Sequence, residues 1–142
     1  MADTFNAGKY GAIVALPFGV ANAVTNKTNE DLAAADASAN TLVVMPQSGS
    51  VVGISVYASA EVTAGSASFA AQKAGTEFAQ TGYPNPTLNT TNTNKSYASI
   101  RPGVLTFSAG DTLGVSYTSS TDLAPTNTND FSALVFVQLD PN

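Results

Sequence analysis

From Thr41 onward the hydrophobic positions recur every second residue. Val52, Ile54, Val56, Ala58 and Ala60 alternate with Gly53, Ser55 and Ser59, and Tyr57 is the one bulky residue on the opposite parity. That period predicts a strand with one buried face. Before it, Leu42 to Met45 is a short apolar run closed by Pro46 and a Gln47-Ser48-Gly49-Ser50 turn. After it come a strand from Ala67 to Lys73 around Phe69, a turn at Ala74-Gly75, and a short strand from Thr76 to Thr81 around Phe78. Val104 to Phe107 resumes strand character, Ser108-Ala109-Gly110-Asp111 is a turn signal, and Leu113, Val115 and Tyr117 alternate again. Thr118 to Asp130 reads as a polar loop. Ala133 to Val137 is continuously apolar, the pattern of a central strand covered on both faces.

Two stretches are less regular. Residues 82–99 hold Pro84, Pro86 and a Thr/Asn tract, which predicts an exposed loop or a loosely held edge hairpin. Residues 20–41 are polar and alanine-rich; Asp31 or Asn29 could cap one helical turn through Ala33 to Ala35, with an irregular connection as the alternative. Tyr10 to Leu16 reads as a first strand or part of an extended arm. A secretory leader is disfavoured there by Asp3, Pro17 and Asn22, although Ala21-Asn22-Ala23 has the form of a cleavage site. The chain therefore divides into residues 1–40, an N-terminal arm or first strand plus an irregular connection, and residues 41–142, a β domain. About eight antiparallel strands with regularly spaced turns predict an all-β sandwich, and a jelly-roll-like closure is the simplest way to protect its edges.

Composition narrows the chemistry. Only 11% of residues are charged, against roughly 25% in ordinary domains. Thr, Asn and Ser fill 43 of the 142 positions, so the polar surface is mostly neutral and can hydrogen-bond without desolvating charge. The net charge is −5 with only five Lys and Arg, scattered along the chain, which argues against nucleic-acid binding. No segment has the apolar length of a membrane span. Histidine and cysteine are absent, which removes Ser-His-Asp and Cys-His nucleophiles, disulfides and thiolate metal sites. No phosphate-cradling glycine motif occurs. The candidates for a carboxylate pair in the periodic region are Glu61, Glu77, Asp111, Asp122 and Asp130, each at a turn or strand end where a solvated acid is the ordinary outcome. Oxygen-rich Asn127-Thr128-Asn129-Asp130 lacks the acidic spacing and glycine of a calcium loop. No enzyme activity, cofactor or metal is expected.

Met45-Pro46-Gln47-Ser48-Gly49-Ser50-Val51-Val52-Gly53-Ile54-Ser55-Val56, then Ala64-Gly65, then Phe107-Ser108-Ala109-Gly110-Asp111-Thr112-Leu113-Gly114-Val115, resembles the jelly-roll decoration (cement) and head-fibre proteins of tailed bacteriophages. In those chains too, an alternating apolar strand leads to an Ala-Gly turn, and a Phe-x-Ala-Gly-Asp turn introduces the penultimate strand. The resemblance covers residues 41–139 and rests on turns and strands, without a catalytic signature. It implies a virion protein that sits on the outer capsid surface as a homotrimer, with the major capsid protein and itself as partners. An N-terminal arm would then supply capsid or subunit contacts through Phe5, Tyr10 and Phe18, unless Tyr10 and Phe18 belong to the core. The alternative is a receptor- or glycan-binding module of a head fibre or tail, with Tyr83, Tyr97 and Tyr117 as contacts on outer loops.

Overall fold

A computed structural model describes residues 11–34, 41–78 and 84–141. In chain order the strands are β1 (Ile13–Val20), β2 (Glu30–Asp31), β3 (Ala33–Ala34), β4 (Val43–Val44), β5 (Gly49–Ala58), β6 (Ser66–Lys73), β7 (Thr76–Glu77), β8 (Thr87–Asn89), β9 (Lys95–Ser99), β10 (Leu105–Phe107), β11 (Thr112–Ser119) and β12 (Phe131–Leu139). All pairings are antiparallel. The first sheet runs β10-β5-β12-β1-β3, with β9 continuing the column of β10 along β5. The second runs β2-β11-β6-β7, with β4 also on β11 and β8 also on β6.

Once the short segments that share a column are merged, five columns remain in the first sheet and four in the second. The first strand lies beside the last, and β5 lies on the other side of the last; from β1 to β6 each strand lies in the other sheet from the one before, whereas β6 and β7 pair within the second sheet. The two packed antiparallel sheets make an all-β sandwich, as the predicted strands require. β1 confirms a first strand near Tyr10 to Leu16, but it starts at Ile13 and continues to Val20.

The core lies between the sheets. Val51, Ile54, Val56, Leu105, Phe107, Val135 and Val137 of the first sheet meet Ala67, Phe69, Ala71, Leu113, Val115 and Tyr117 of the second. Its centre is an aromatic cluster in which Phe131 stands edge-on to Phe69 and Tyr117, with centroids at 5.3 and 5.5 Å. Such edge-to-face pairs add about 0.5–1.5 kcal/mol each beyond the area they bury.

Four expectations change. No helix occurs among the described residues: Glu30–Asp31 and Ala33–Ala34 pair as strands with β11 and β1, and Leu32 between them is fully buried. Residues 84–99 are a loop only in part and not an edge hairpin: two strands flank a short connection at 90–94. β8 joins the second sheet beside β6 while β9 joins the first beside β5, and Leu88 is buried between the layers. Third, the alternation of β5 changes phase. The register with β12 shifts between Phe136 and Val137, opposite Gly53 and Val51, and Val52 is left as a bulge. Val51 takes the core position that simple alternation gives Val52, and the bulged Val52 carbonyl accepts the Ile100 N–H at 3.0 Å.

The fourth change concerns β12. It is central in its sheet, as its apolar run predicts, but only one of its faces is fully covered. Phe131, Ala133, Val135 and Val137 are buried, whereas Ser132 and Leu134 are exposed.

Candidate functional site

The first sheet presents an outer face that register alone defines. Opposed residues of antiparallel strands share a face, so four rows run across β1, β12, β5 and the β9/β10 column. They are Gly19, Ser132, Tyr57, Lys95; Pro17, Leu134, Ser55, Tyr97; Ala15, Phe136, Gly53, Ser99; and Ile13, Gln138, Ser50, Thr106. Lys95 is the single charged residue among them. Ile13 is 65% exposed, Tyr57 54%, Tyr97 78% and Leu134 38%. Contiguous exposed apolar surface of this kind marks an interaction site more often than a solvated wall. Phe136 lies beside Gly53, where an added Cβ would sit 3.6 Å from its ring.

The second sheet differs. On its outer side Ala70, Gln72 and Ser116 are buried, and Thr41 and Leu42 lie over Gly114, where a Cβ would come within 2.8 Å of the Thr41 carbonyl oxygen. Gln72 Oε1 and Ser116 Oγ there have no hydrogen-bond partner among the described residues. The chain thus covers one outer face itself and leaves the other open.

Within the open face, a depression of about 650 Å³ lies where β5 and β9 meet the loop before β9. Ser55 and Ser132 are its small floor residues, Tyr57, Tyr97 and Leu134 its apolar walls, and residues 91–94 its polar rim. The rim is held from several directions. Asn89 Oδ1 accepts the N–H groups of Thr91 and Asn92, both at 2.9 Å. The Asn94 carbonyl accepts the Ala58 N–H at 2.8 Å, and the Thr93 carbonyl accepts the Val62 N–H at 2.7 Å. The Thr/Asn tract, without a hydrophobic period of its own, is therefore a fixed loop.

The residues singled out by sequence fall in different places. Phe5, Tyr10 and Tyr83 lie outside the described residues. Phe18 is buried opposite Ala133 and Ala34, so its side chain belongs to the core of this chain and is not presented for a surface contact. Tyr117 is likewise a core residue, not a loop contact. It is 1% exposed, and its hydroxyl accepts the Val24 N–H at 3.4 Å. Burial pushes its pKa above the ordinary tyrosine value; Glu30 adds to the rise, and the Val24 hydrogen bond opposes it. Among the described candidates only Tyr97 stands on the open face. Its diagonal partner Tyr57 carries no motif, but it is the bulky exception in the alternation of β5, and that parity was the available signal.

Two of the candidate carboxylates serve structure. Asp111 Oδ2 accepts the Ser108 N–H at 2.8 Å within the turn, and Asp130 Oδ1 accepts the Asn22 N–H at 2.9 Å. The amide of Asn129 is engaged with Ser59 and Ala60. Among the described residues no three acidic groups converge on a point.

With this architecture in view, one solved structure is similar over nearly the whole chain. It is titled the capsid asymmetric unit of cyanophage Pam1. The match has a TM-score of 0.50 at 13% sequence identity and covers 98% of this chain and 93% of that one. At that identity the likeness concerns the fold. No family model matches the sequence, and no curated protein does.

Proposed function

We propose that this chain is a structural virion protein of a bacteriophage, a capsid decoration (cement) protein without catalytic activity. It binds the outer capsid surface as a homotrimer and stabilises the shell. The observation that carries this reading is the open outer face of the first sheet, four strands wide with one charge, on a fold shared end to end with a chain of a phage capsid asymmetric unit. A neutral face of Ile13, Ala15, Pro17, Leu134 and Phe136 buries apolar area against a neighbour with little charge desolvation. The acidic residues Asp111, Asp122 and Asp130 lie outside the strands, and Asp140 stands at the margin of the face, beside Gln138 and Thr106. The mechanism is mechanical. Contacts that exist only in the assembled shell favour that shell by mass action and must break before it opens. Phe5 and Tyr10 precede β1 in sequence, and we assign them to the same contacts.

The test is to add the purified chain to undecorated, expanded capsids of the phage that encodes it. Saturable binding in multiples of three, with a higher capsid melting temperature, is the expected result. Leu134→Asp and deletion of residues 1–10 should each weaken binding at least tenfold while leaving the free protein folded. Absence of capsid binding by the unaltered chain would refute the reading.

A further inference from the structure

We infer that the depression between Tyr57 and Tyr97 is a binding site for a neutral saccharide. The inference goes beyond the capsid reading and does not depend on it; Leu134 borders both surfaces, so a saccharide would bind the chain free of the capsid. Saccharide rings are amphipathic: their C–H faces stack on aromatic rings, while their equatorial hydroxyls need a dense set of neutral donors and acceptors. The depression supplies both. Tyr57 and Tyr97 sit diagonally on adjacent strands, because Ser55 opposes Tyr97 and Tyr57 opposes Lys95. This places their Cβ atoms roughly 7 Å apart on one face, with only serine at the floor between them. Two tyrosines left 54% and 78% exposed, each with only two side-chain torsions, form an aromatic platform with little ordering cost on binding.

The rim fits the hydroxyls. The side-chain amides of Asn92 and Asn94 form no hydrogen bond among the described residues, although the backbone that carries them is fixed by Asn89, Ala58 and Val62. Each amide offers a carbonyl oxygen and an N–H pair, the combination that reads neighbouring ring hydroxyls. Ser132 on the floor and the Lys95 ammonium at the margin add donors. The volume of about 650 Å³ lies within the range of small-ligand sites, enough for one or two sugar rings. No carboxylate lines the depression, which disfavours a cationic ligand, and it opens on a sheet face, so it cannot enclose a wholly apolar one.

Saturation-transfer NMR on the full chain tests this, with glucose, galactose, mannose, N-acetylglucosamine and their linear di- to tetrasaccharides as probes. Transfer onto ring protons of at least one probe at millimolar concentration is expected, together with shifts of the Tyr57 and Tyr97 ring resonances. Tyr97→Ala and Tyr57→Ala should each lower the affinity at least tenfold, and Asn92→Ala with Asn94→Ala several-fold. Tyr117→Phe should leave it unchanged. Both tyrosines are exposed, so an unaltered melting temperature will show that the variants fold. No transfer from any probe, or transfer undiminished in Tyr97→Ala, overturns the assignment. So does self-association that Tyr97→Ala abolishes in a chain that binds no saccharide, because the depression would then be an interface between copies. Failure to bind capsids, by contrast, would leave saccharide binding intact.

Discussion

Replacing Asn129 by alanine removes the most heavily used buried polar side chain of the fold. Asn129 is fully buried in the connection between β11 and β12. Its Oδ1 accepts the Ala60 N–H at 2.9 Å and the Ser59 hydroxyl at 3.3 Å, and its Nδ2 donates to the Ala60 carbonyl at 3.0 Å. One amide thus completes both backbone groups of Ala60, the second residue after the end of β5, as an adjacent strand would. Truncation leaves that N–H and that carbonyl unpaired, at about 1–3 kcal/mol for each group that stays dry. Ala60 is only half-buried, so water recovers part of this, and a total of about 2–4 kcal/mol is expected. For a chain of this size that corresponds to a fall in Tm of about 6–15 °C.

Urea unfolding followed by far-ultraviolet circular dichroism measures it directly: the midpoint should drop with the slope unchanged. Asn129→Asp sharpens the test, because the carboxylate keeps the acceptor, loses the donor to the Ala60 carbonyl and buries a charge. It should be at least as damaging as alanine at pH 7 and should recover towards acid pH, where the protonated carboxyl can donate again. A loss below about 0.5 kcal/mol for Asn129→Ala, or an aspartate variant as stable as the parent at pH 7, would refute the reasoning.

Gly65 and Gly75 both have positive φ, at +71° and +77°, but an added Cβ at Gly65 would come within 2.6 Å of Leu123 N, while at Gly75 it meets open space. Gly65→Ala should therefore destabilise by about 3 kcal/mol or more, and Gly75→Ala by about 1–2 kcal/mol, in the same urea assay; equal effects would contradict the packing at Leu123. Tyr117 is held above its ordinary pKa by burial. Between the unfolded and folded pKa values the folded state binds more protons, so stability is fully present below pH about 10 and falls as pH rises above it. Tyr117→Phe should flatten that alkaline decline in melting curves taken from neutral pH upward, and an unchanged slope would count against it.

Much of the fold was legible from local pattern. The period-two runs around Ile54, Phe69 and Val115 became β5, β6 and β11, and the Gly110-Asp111 turn closes as its residue types predict, with the Asp111 carboxylate on a local amide. Absence of histidine and cysteine, with few charges, already implies a largely neutral polar surface. These features are local: side-chain alternation and turn chemistry act over two to four residues, and one chain carries them whole.

Other features depended on partners distant in sequence. The Thr/Asn tract has no hydrophobic period, yet it leads into strands because β6 and β5 supply the backbone partners for β8 and β9. The bulge at Val52 exists only in the register with β12, and it moves Val51 into the core. Tyr117 and Tyr97 are the same residue type on two strands, and only sheet assignment and parity put one against Phe131 and the other in solvent. Leu134 and Val135 adjoin in one apolar run, and sequence offered no reason to cover one and leave the other bare. Coverage is decided by which elements pack over a face, a long-range property. The open face of the first sheet, and the depression between its two tyrosines, therefore came from the tertiary structure alone.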